Sequence, residues 1–245
     1  MISPALRSDL APTGKIRVGI NYGNPVLATK DPPGGELRGV AVDLAREVGK
    51  RLDLPVELVG YDAAGKMVDA LKAGAWDIAF LAIEPGREGD ISFTAPYIEI
   101  EGTYLVPAGS PLRAIADVDR HGVRIALAAG AAYELFLSRN LKRAQLVRVP
   151  DPQAAFELVV GGKVEALAGV KQTLVTNAGK LPGSRILDGR FLAIGQAVGI
   201  VKGRDAGAKY LREFVEDVKA SGLVAQAIEK AGVHGVAIAP PAAKI

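Results

Sequence analysis

The feature that most constrains this chain is an alternation of short apolar strands with amphipathic helices, which occurs twice. In the first series, Ile16, Val18 and Ile20 alternate with Arg17 and Gly19, as in a half-buried strand. The series predicts strands at 15–21, 56–61 and 78–81 and helices at 42–52 and 63–73. A βαβαβ order of this kind implies right-handed crossovers and a parallel sheet.

The second series follows an extended stretch at 97–106. It predicts strands at 123–128, 145–149 and 166–169 and helices at 132–140, 152–161 and 171–178. A further extended stretch at 191–201 precedes amphipathic helices at 206–221 and 223–231. Two α/β lobes joined by two crossings explain this order, and so does a single doubly wound sheet. The pattern alone favours neither arrangement.

Composition excludes several classes of protein. The 245 residues are 49% hydrophobic and 23% charged, which is typical of a folded chain. A net charge of +3 without clustering argues against a nucleic-acid partner. The absence of cysteine excludes disulfides, thiol catalysis and cysteine-ligated zinc, and the two distant histidines give no metal-ligand spacing. We therefore expect no metal and no cofactor.

No apolar run reaches the roughly 18–20 residues that a membrane helix needs. The N-terminal segment MISPALRSDLAPTGK has no apolar core of the secretory type. The N-terminal segment therefore does not decide between export and a cytoplasmic location.

Several segments, in order, resemble bacterial extracellular solute-binding proteins, family 3, the amino-acid-type binding components of ABC importers. LRGVAVDLA at 37–45 resembles the GxxVDLA signature, and ALKAGAWD at 70–77 resembles the ALxxGxxD segment. FLAIEPGR at 80–87 and ISFTAPY at 91–97 resemble the TPER…FSxPY stretch, and QAVGIVKG at 196–203 resembles the return strand. Residues 125–133 occupy the place of the second-lobe strand and the start of its ligand-contacting helix. The resemblance covers about residues 13–231.

The resemblance implies a type II periplasmic-binding-protein-like fold, in which two lobes, each a mainly parallel sheet with flanking helices, close on a small ligand. It assigns 1–98 and 197–245 to lobe 1 and 99–196 to lobe 2, with hinge motion at 97–102 and 192–198. It further implies a monomer in the periplasm that presents its ligand to the membrane subunits of an ABC importer.

The resemblance makes Arg87 the principal candidate for ligand binding, because the family's arginine at this place pairs with the ligand carboxylate. A guanidinium fork suits that role; the alternative is a surface arginine that caps a turn. Ala82 stands where the family has a hydroxyl, so the backbone near Leu81 and Ala82 is left to contact the ligand. Glu84 replaces a second threonine, and either caps the turn at Pro85 or binds a ligand amine.

Three further candidates in lobe 1 follow the first strand. Parallel α/β sheets bind ligands at the carboxyl ends of their strands. Tyr22 is the expected wall or stacking residue. Asn21 and Asn24 are equally suited to contact the ligand and to form the turn. Trp76 is interpreted as structural, because it enters a buried strand.

In lobe 2 the family's ammonium-binding aspartate falls on Val170, so recognition of an ordinary α-amino acid is in doubt. Next to it, Lys171 is either a solvated residue or a second anion contact. Tyr133 either closes over the ligand or packs against its own lobe. The candidates in this lobe are Ala128, Ala132, Tyr133, Lys171 and Gln172.

The sequence thus predicts a binding protein, and not an enzyme, for an amino-acid-like or organic-acid ligand. A competing interpretation is an enzyme that resembles cyclohexadienyl dehydratases, which need a general acid. Glu84 is the one candidate acid, and it lies in the wrong lobe for that group. A sensory domain of similar fold is a further competitor, against which the lack of a membrane segment or signalling partner in this sequence argues. A non-exported orphan binding protein stays open as well.

Overall fold

The computed structural model describes residues 2–31 and 34–243. The chain divides into two compact units. Unit 1 comprises Met1–Glu99 and Gly195–Ile245, and unit 2 comprises Ile100–Ile194. Parts of the predicted 24–39 loop and both termini of the chain lie outside the described residues.

The helices and strands of the first part of the chain belong to unit 1. They are α1 (Pro4–Leu10), β1 (Ile16–Asn21), β2 (Thr29–Lys30), β3 (Leu37–Arg38), α2 (Val40–Leu52), β4 (Val56–Tyr61), α3 (Ala64–Leu71), β5 (Ile78–Ala82) and β6 (Ile91–Phe93). Strand β7 (Ile98–Val106) then leads into unit 2.

The elements of unit 2 continue the alternation. They are β8 (Arg124–Ala128), α4 (Ala132–Asn140), β9 (Gln145–Val149), α5 (Pro152–Val160), β10 (Ala166–Val170), α6 (Lys171–Ala178) and β11 (Arg185–Ile186). Strand β12 (Leu192–Val201) leads back to unit 1, which ends with α7 (Asp205–Ala220), α8 (Leu223–Lys230) and β13 (Ala237–Ile238).

The sheet of unit 1 has the order β4-β1-β5-β12. Strand β1 is parallel to both β4 and β5, with Asn21 opposite Tyr61 and Ile20 opposite Phe80. Strand β12 is antiparallel to β5 and places Gln196 opposite Ala82. The carboxyl ends of β1 and β5 therefore lie at the same edge of this sheet.

Helices pack on the unit 1 sheet through apolar residues. Met67, Trp76, Ala79, Leu81 and Ile91 form a buried cluster. The Trp76 indole donates a hydrogen bond of 2.8 Å to the Met67 carbonyl oxygen. This burial and contact agree with the structural interpretation of Trp76.

The sheet of unit 2 has the order β7-β10-β8-β9. Strands β10 and β9 are both parallel to β8, whereas β7 is antiparallel to β10 and places Gly102 opposite Val170. The apolar cluster beneath this sheet includes Leu105, Phe156 and Leu167. The carboxyl ends of β8 and β10 thus share one edge, and β7 passes beside it.

Most predicted elements agree with the structure to within a few residues. Helix α1 is an exception, because the sequence patterns above predict no helix over its segment. Ser3 accepts a hydrogen bond from the Leu6 amide and Pro4 opens the helix, which is a typical N-terminal cap. In the described part of the chain, no helix is long and apolar enough to cross a membrane.

Candidate functional site

The candidate residues of unit 1 lie in two loops at the same edge of its sheet. Asn21 ends β1 and is followed by Tyr22 and Asn24, while Ala82 ends β5 and is followed by the turn that contains Glu84 and Arg87 (a one-turn 3-10 helix, Pro85–Arg87). Because β1 and β5 are parallel neighbours, the fold brings the two loops to the same edge. This is where open α/β sheets bind ligands.

Arg87 is a buried cation at this edge. It is only 4% exposed, so it is not the surface arginine considered as the alternative. Its Nη1 donates a hydrogen bond of 2.9 Å to the Ala82 carbonyl oxygen. Burial lowers the pKa of Arg87 to about 10, a fall that the negative charge of Glu84 opposes. The guanidinium is therefore positively charged at neutral pH.

Glu84 adopts the capping arrangement that the sequence offered as one of two roles. Its Oε2 accepts a hydrogen bond of 2.6 Å from the Gly86 amide, and Pro85 occupies the first position of the turn. The carboxylate thereby fixes the turn that carries Arg87. Glu84 is buried, like Arg87.

The residues that follow β1 form a turn. The side-chain oxygen of Asn21 accepts from the Gly23 amide at 3.0 Å, and that of Asn24 accepts from the Val26 amide at 3.1 Å. Both asparagines thus form the turn, which was one of their two predicted roles. The Tyr22 ring lies 5.3 Å from the Lys30 ammonium, and its role as a ligand wall stays a prediction.

In unit 2, Ala128 ends β8, and α4 starts at Ala132. The Gly130 amide between them donates to the Glu134 carboxylate at 3.1 Å, and Arg148 Nε donates to the same carboxylate at 2.8 Å. Glu134 therefore holds this loop in place. Tyr133 is buried, and burial raises its pKa; whether it contacts a ligand stays a prediction.

Lys171 and Gln172 begin α6 at the carboxyl end of β10. The Lys171 side chain is 43% exposed, and its ammonium lies 2.8 Å from Oε2 of Glu101 on β7, so it is both solvated and paired. Its role as an anion contact stays a prediction. The other oxygen of Glu101 lies 3.3 Å from Nη1 of Arg190. These contacts lower the pKa of Glu101, with the hydrogen bond from Lys171 as the largest cause.

The sequence patterns do not single out Glu101, Arg190 or Glu134. Glu101 fell inside a predicted extended segment, and its partners depend on the pairing of β7 with β10. Glu134 occupies the first turn of a correctly predicted helix, where an acidic side chain is common, so its position could have drawn attention. Within 2–31 and 34–243, no group of three or more His, Asp or Glu residues is arranged to hold a metal ion.

The chain is similar to several known proteins in sequence and in fold. The ABC transporter glutamine-binding protein GlnH of Bacillus subtilis (strain 168) is 20% identical over 218 residues, which are 85% of this chain and 77% of that protein. The solved solute receptor for L-cysteine of Neisseria gonorrhoeae matches with a TM-score of 0.81 and 21% identity, over 95% of this chain and 96% of the other.

A second solved structure extends the comparison. The ancestral amino-acid-binding protein AncCDT-1, described as a precursor of cyclohexadienyl dehydratase, has a TM-score of 0.77 and 22% identity, over 91% of this chain and 97% of the other. The structural matches confirm the predicted type II periplasmic-binding-protein-like fold class. The family model of bacterial extracellular solute-binding proteins, family 3, matches residues 16–233. The chain therefore belongs to this family.

Proposed function

We propose that the chain binds a small carboxylate-bearing solute, amino-acid-like or an organic acid, as the solute-binding component of an ABC importer. The observation that carries the proposal is the buried, positively charged Arg87, hydrogen-bonded to Ala82 at the carboxyl end of β5. Membership of the solute-binding family supports the transport role.

The chemistry of Arg87 favours a carboxylate. A guanidinium has five N–H donors in a rigid fork, so it can hold an anion beside its bond to a carbonyl oxygen. A charge-assisted bond in a site shielded from water is stronger than one at the surface. The bond to Ala82 and the capped turn also fix the guanidinium before the solute arrives, which lowers the entropy cost of binding.

At the carboxyl ends of the parallel strands, the other candidate positions offer few side chains that would select an α-amino acid. Ala82 supplies no hydroxyl, and Val170 supplies no carboxylate where family members pair with an ammonium. The glutamine-binding and L-cysteine-receptor relatives are described as binding amino acids. We propose that this chain instead accepts a solute whose carboxylate is its main polar group.

The remaining parts of the proposal follow from the family. The chain acts in the periplasm as a monomer, its two units close around the solute by hinge motion, and the membrane subunits of the importer receive the solute. The family's description as extracellular supports this location.

We propose a binding protein, and not an enzyme. The similarity to AncCDT-1 makes a dehydratase the second candidate. In this chain, however, Glu84 accepts a hydrogen bond from the Gly86 amide at 2.6 Å, so its carboxylate has a structural task as a cap. Turnover of prephenate or arogenate by the purified protein would contradict the binding role.

The test begins with mass spectrometry of solute that co-purifies with the protein, followed by a thermal-shift panel of organic acids and amino acids. The affinity for each stabilising solute is then measured by calorimetry for Arg87→Ala and Arg87→Lys. We expect the Ala variant to lose at least about 100-fold in affinity, because a charge-assisted bidentate contact is removed.

Because Arg87 is buried, both variants are first checked for folding by circular dichroism. Arg87→Lys keeps the charge but loses the fork, so an intermediate loss is expected. The matched control is Arg212→Ala, at an exposed arginine of α7. An unchanged affinity in a folded Arg87→Ala variant would overturn the assignment of this site.

A further inference from the structure

We infer that Lys171 and Arg190, joined by Glu101, form a subsite in unit 2 for a second anionic group, so that the solute is a dicarboxylate. The inference rests on the proposed function, because it specifies the class of carboxylate that the chain binds. We call these three residues the unit 2 cationic cluster.

The geometry of the cluster is a single carboxylate held between two cations. Lys171 Nζ lies 2.8 Å from one Glu101 oxygen, and Arg190 Nη1 lies 3.3 Å from the other. One negative and two positive charges leave a net charge of +1. The cluster therefore attracts an anion and repels an ammonium.

Glu101 does not use all the N–H donors of Lys171 and Arg190. In the described part of the chain, each of the two cations makes no hydrogen bond or ion pair except that with Glu101. An ammonium has three N–H donors and a guanidinium has five, so both can bind a further oxygen without releasing Glu101. Their side chains are 43% and 50% exposed, so a solute can reach them.

The cluster lies at the carboxyl ends of parallel strands, where α/β sheets bind ligands. Lys171 follows the last residue of β10, and Glu101 precedes Gly102, which pairs with that residue, Val170. The parallel strand β8 ends at Ala128 on the same edge of the unit 2 sheet. A small solute bound at the carboxyl ends of these strands thus meets the cluster.

Packing of the neighbouring Phe191 restricts the backbone of Arg190. Phe191 follows Arg190, and its ring is 4.6 Å from that of Tyr104 and 6.2 Å from that of Phe136, measured between ring centroids. The Phe191 amide also donates to the Gly102 carbonyl oxygen at 3.0 Å. The backbone at Arg190 is therefore anchored, and only its side chain has to adjust to a solute.

The test compares dicarboxylates with monocarboxylates of the same carbon number, succinate with butyrate and glutarate with valerate, by calorimetry at low ionic strength. The intact protein is expected to prefer the dicarboxylate of each pair. Lys171→Gln and Arg190→Gln should each reduce the affinity for the dicarboxylate by about tenfold and leave the monocarboxylate unchanged. Lys180→Gln, at an exposed lysine of the same unit, is the matched control.

Glu101→Gln gives the sharpest result. It removes the negative charge and raises the net charge of the cluster, so the affinity for the dicarboxylate should rise about threefold to tenfold. A salt bridge with only a structural role predicts no such gain. Equal losses for both members of a pair in the lysine and arginine variants would also indicate a structural role and overturn the subsite.

Two other outcomes separate this inference from the proposed function. If the intact protein binds monocarboxylates and dicarboxylates equally, and the variants change neither, the subsite is overturned while the carboxylate proposal stands. If lysine or glutamine binds and Glu101→Gln abolishes that binding, Glu101 receives an ammonium and the subsite is overturned. If no carboxylate of the panel binds, both proposals fail.

Discussion

Two carboxylates in this chain each form ion pairs with two cations, but their surroundings suit different roles. One supports the fold, and the other belongs to the cluster that we propose binds a solute. In unit 1, Asp77 lies immediately before β5, between Arg17 and Arg204. In unit 2, Glu101 lies between Lys171 and Arg190. The charges are the same in number and sign, but the surroundings differ.

Asp77 is 0% exposed, and every contact to it is short. Its oxygens accept from Arg17 Nε at 3.0 Å, Arg17 Nη2 at 2.9 Å, the Arg17 amide at 3.1 Å and Arg204 Nη1 at 3.1 Å. Arg204 also donates to the Asp9 carbonyl oxygen at 2.8 Å, so the network joins β1, β5 and the end of α1.

The Glu101 side chain is 31% exposed and makes one contact with each cation. Water screens exposed pairs of this kind, which contribute little to stability. A buried carboxylate that loses its partners is strongly destabilising. Burial, and not the number of ion pairs, thus makes the Asp77 network the one that stabilises the fold and leaves the Glu101 cluster exposed to solvent.

The largest expected effect is that of Asp77→Asn. The substitution weakens four charge-assisted hydrogen bonds to a side chain that is 0% exposed and leaves the mostly buried Arg17 and Arg204 without their anion. We therefore expect the free energy of unfolding to fall by about 3–5 kcal/mol. Urea denaturation measures this loss. The control is Asp62→Asn, which removes an exposed pair with Lys66, and should cost less than about 1 kcal/mol.

Most of the fold could be predicted from the sequence, because strand and helix periods are local. The period of Ile16, Val18 and Ile20 predicts β1 correctly to within one residue. The strand order could not be predicted, because it depends on contacts between distant segments. The antiparallel pairing of β12 with β5, which joins Gln196 to Ala82, is one example.

A smaller effect is expected when the cations of the Asp77 network are removed one at a time. Arg17 makes two side-chain bonds to Asp77 and Arg204 makes one. Arg17→Met should therefore cost about 2–3 kcal/mol and Arg204→Met about 1–2 kcal/mol. Urea denaturation of both single variants and the double variant measures their coupling. Equal losses for the two would contradict this ranking.

The candidate site could be predicted only in part. Arg87 and Lys171 stand out as candidates because one lies in a recognisable motif and the other follows a predicted strand; their contact with a solute stays a proposal. Glu101 and Arg190 were missed because they are 89 residues apart and meet only through the folded sheet. The role of Glu84 was left open because a cap and a ligand contact need the same carboxylate.

Acid should reveal the contribution of Asp77 to the stability of the fold. Burial alone would raise the pKa of Asp77, but the hydrogen bonds from Arg17 and Arg204 outweigh it and lower the pKa. A carboxylate with a lowered pKa stabilises the fold above its unfolded pKa of about 3.9, and this contribution is lost as the pH falls further. The loss of stability on acidification should therefore be shallower in Asp77→Asn than in the unmodified protein. Urea denaturation at a series of pH values measures it, and identical slopes would contradict the assignment.

The smallest expected effect is that of Glu101→Gln on stability. Lys171 and Arg190 keep their exposure to water when the carboxylate is removed, so neither becomes a buried unpaired charge. The free energy of unfolding should change by less than about 1 kcal/mol, against the several expected for Asp77→Asn. Urea denaturation of both variants under one buffer condition makes the comparison direct. A loss at Glu101 as large as that at Asp77 would mean that the unit 2 cationic cluster supports the fold, and that exposure does not separate the two roles.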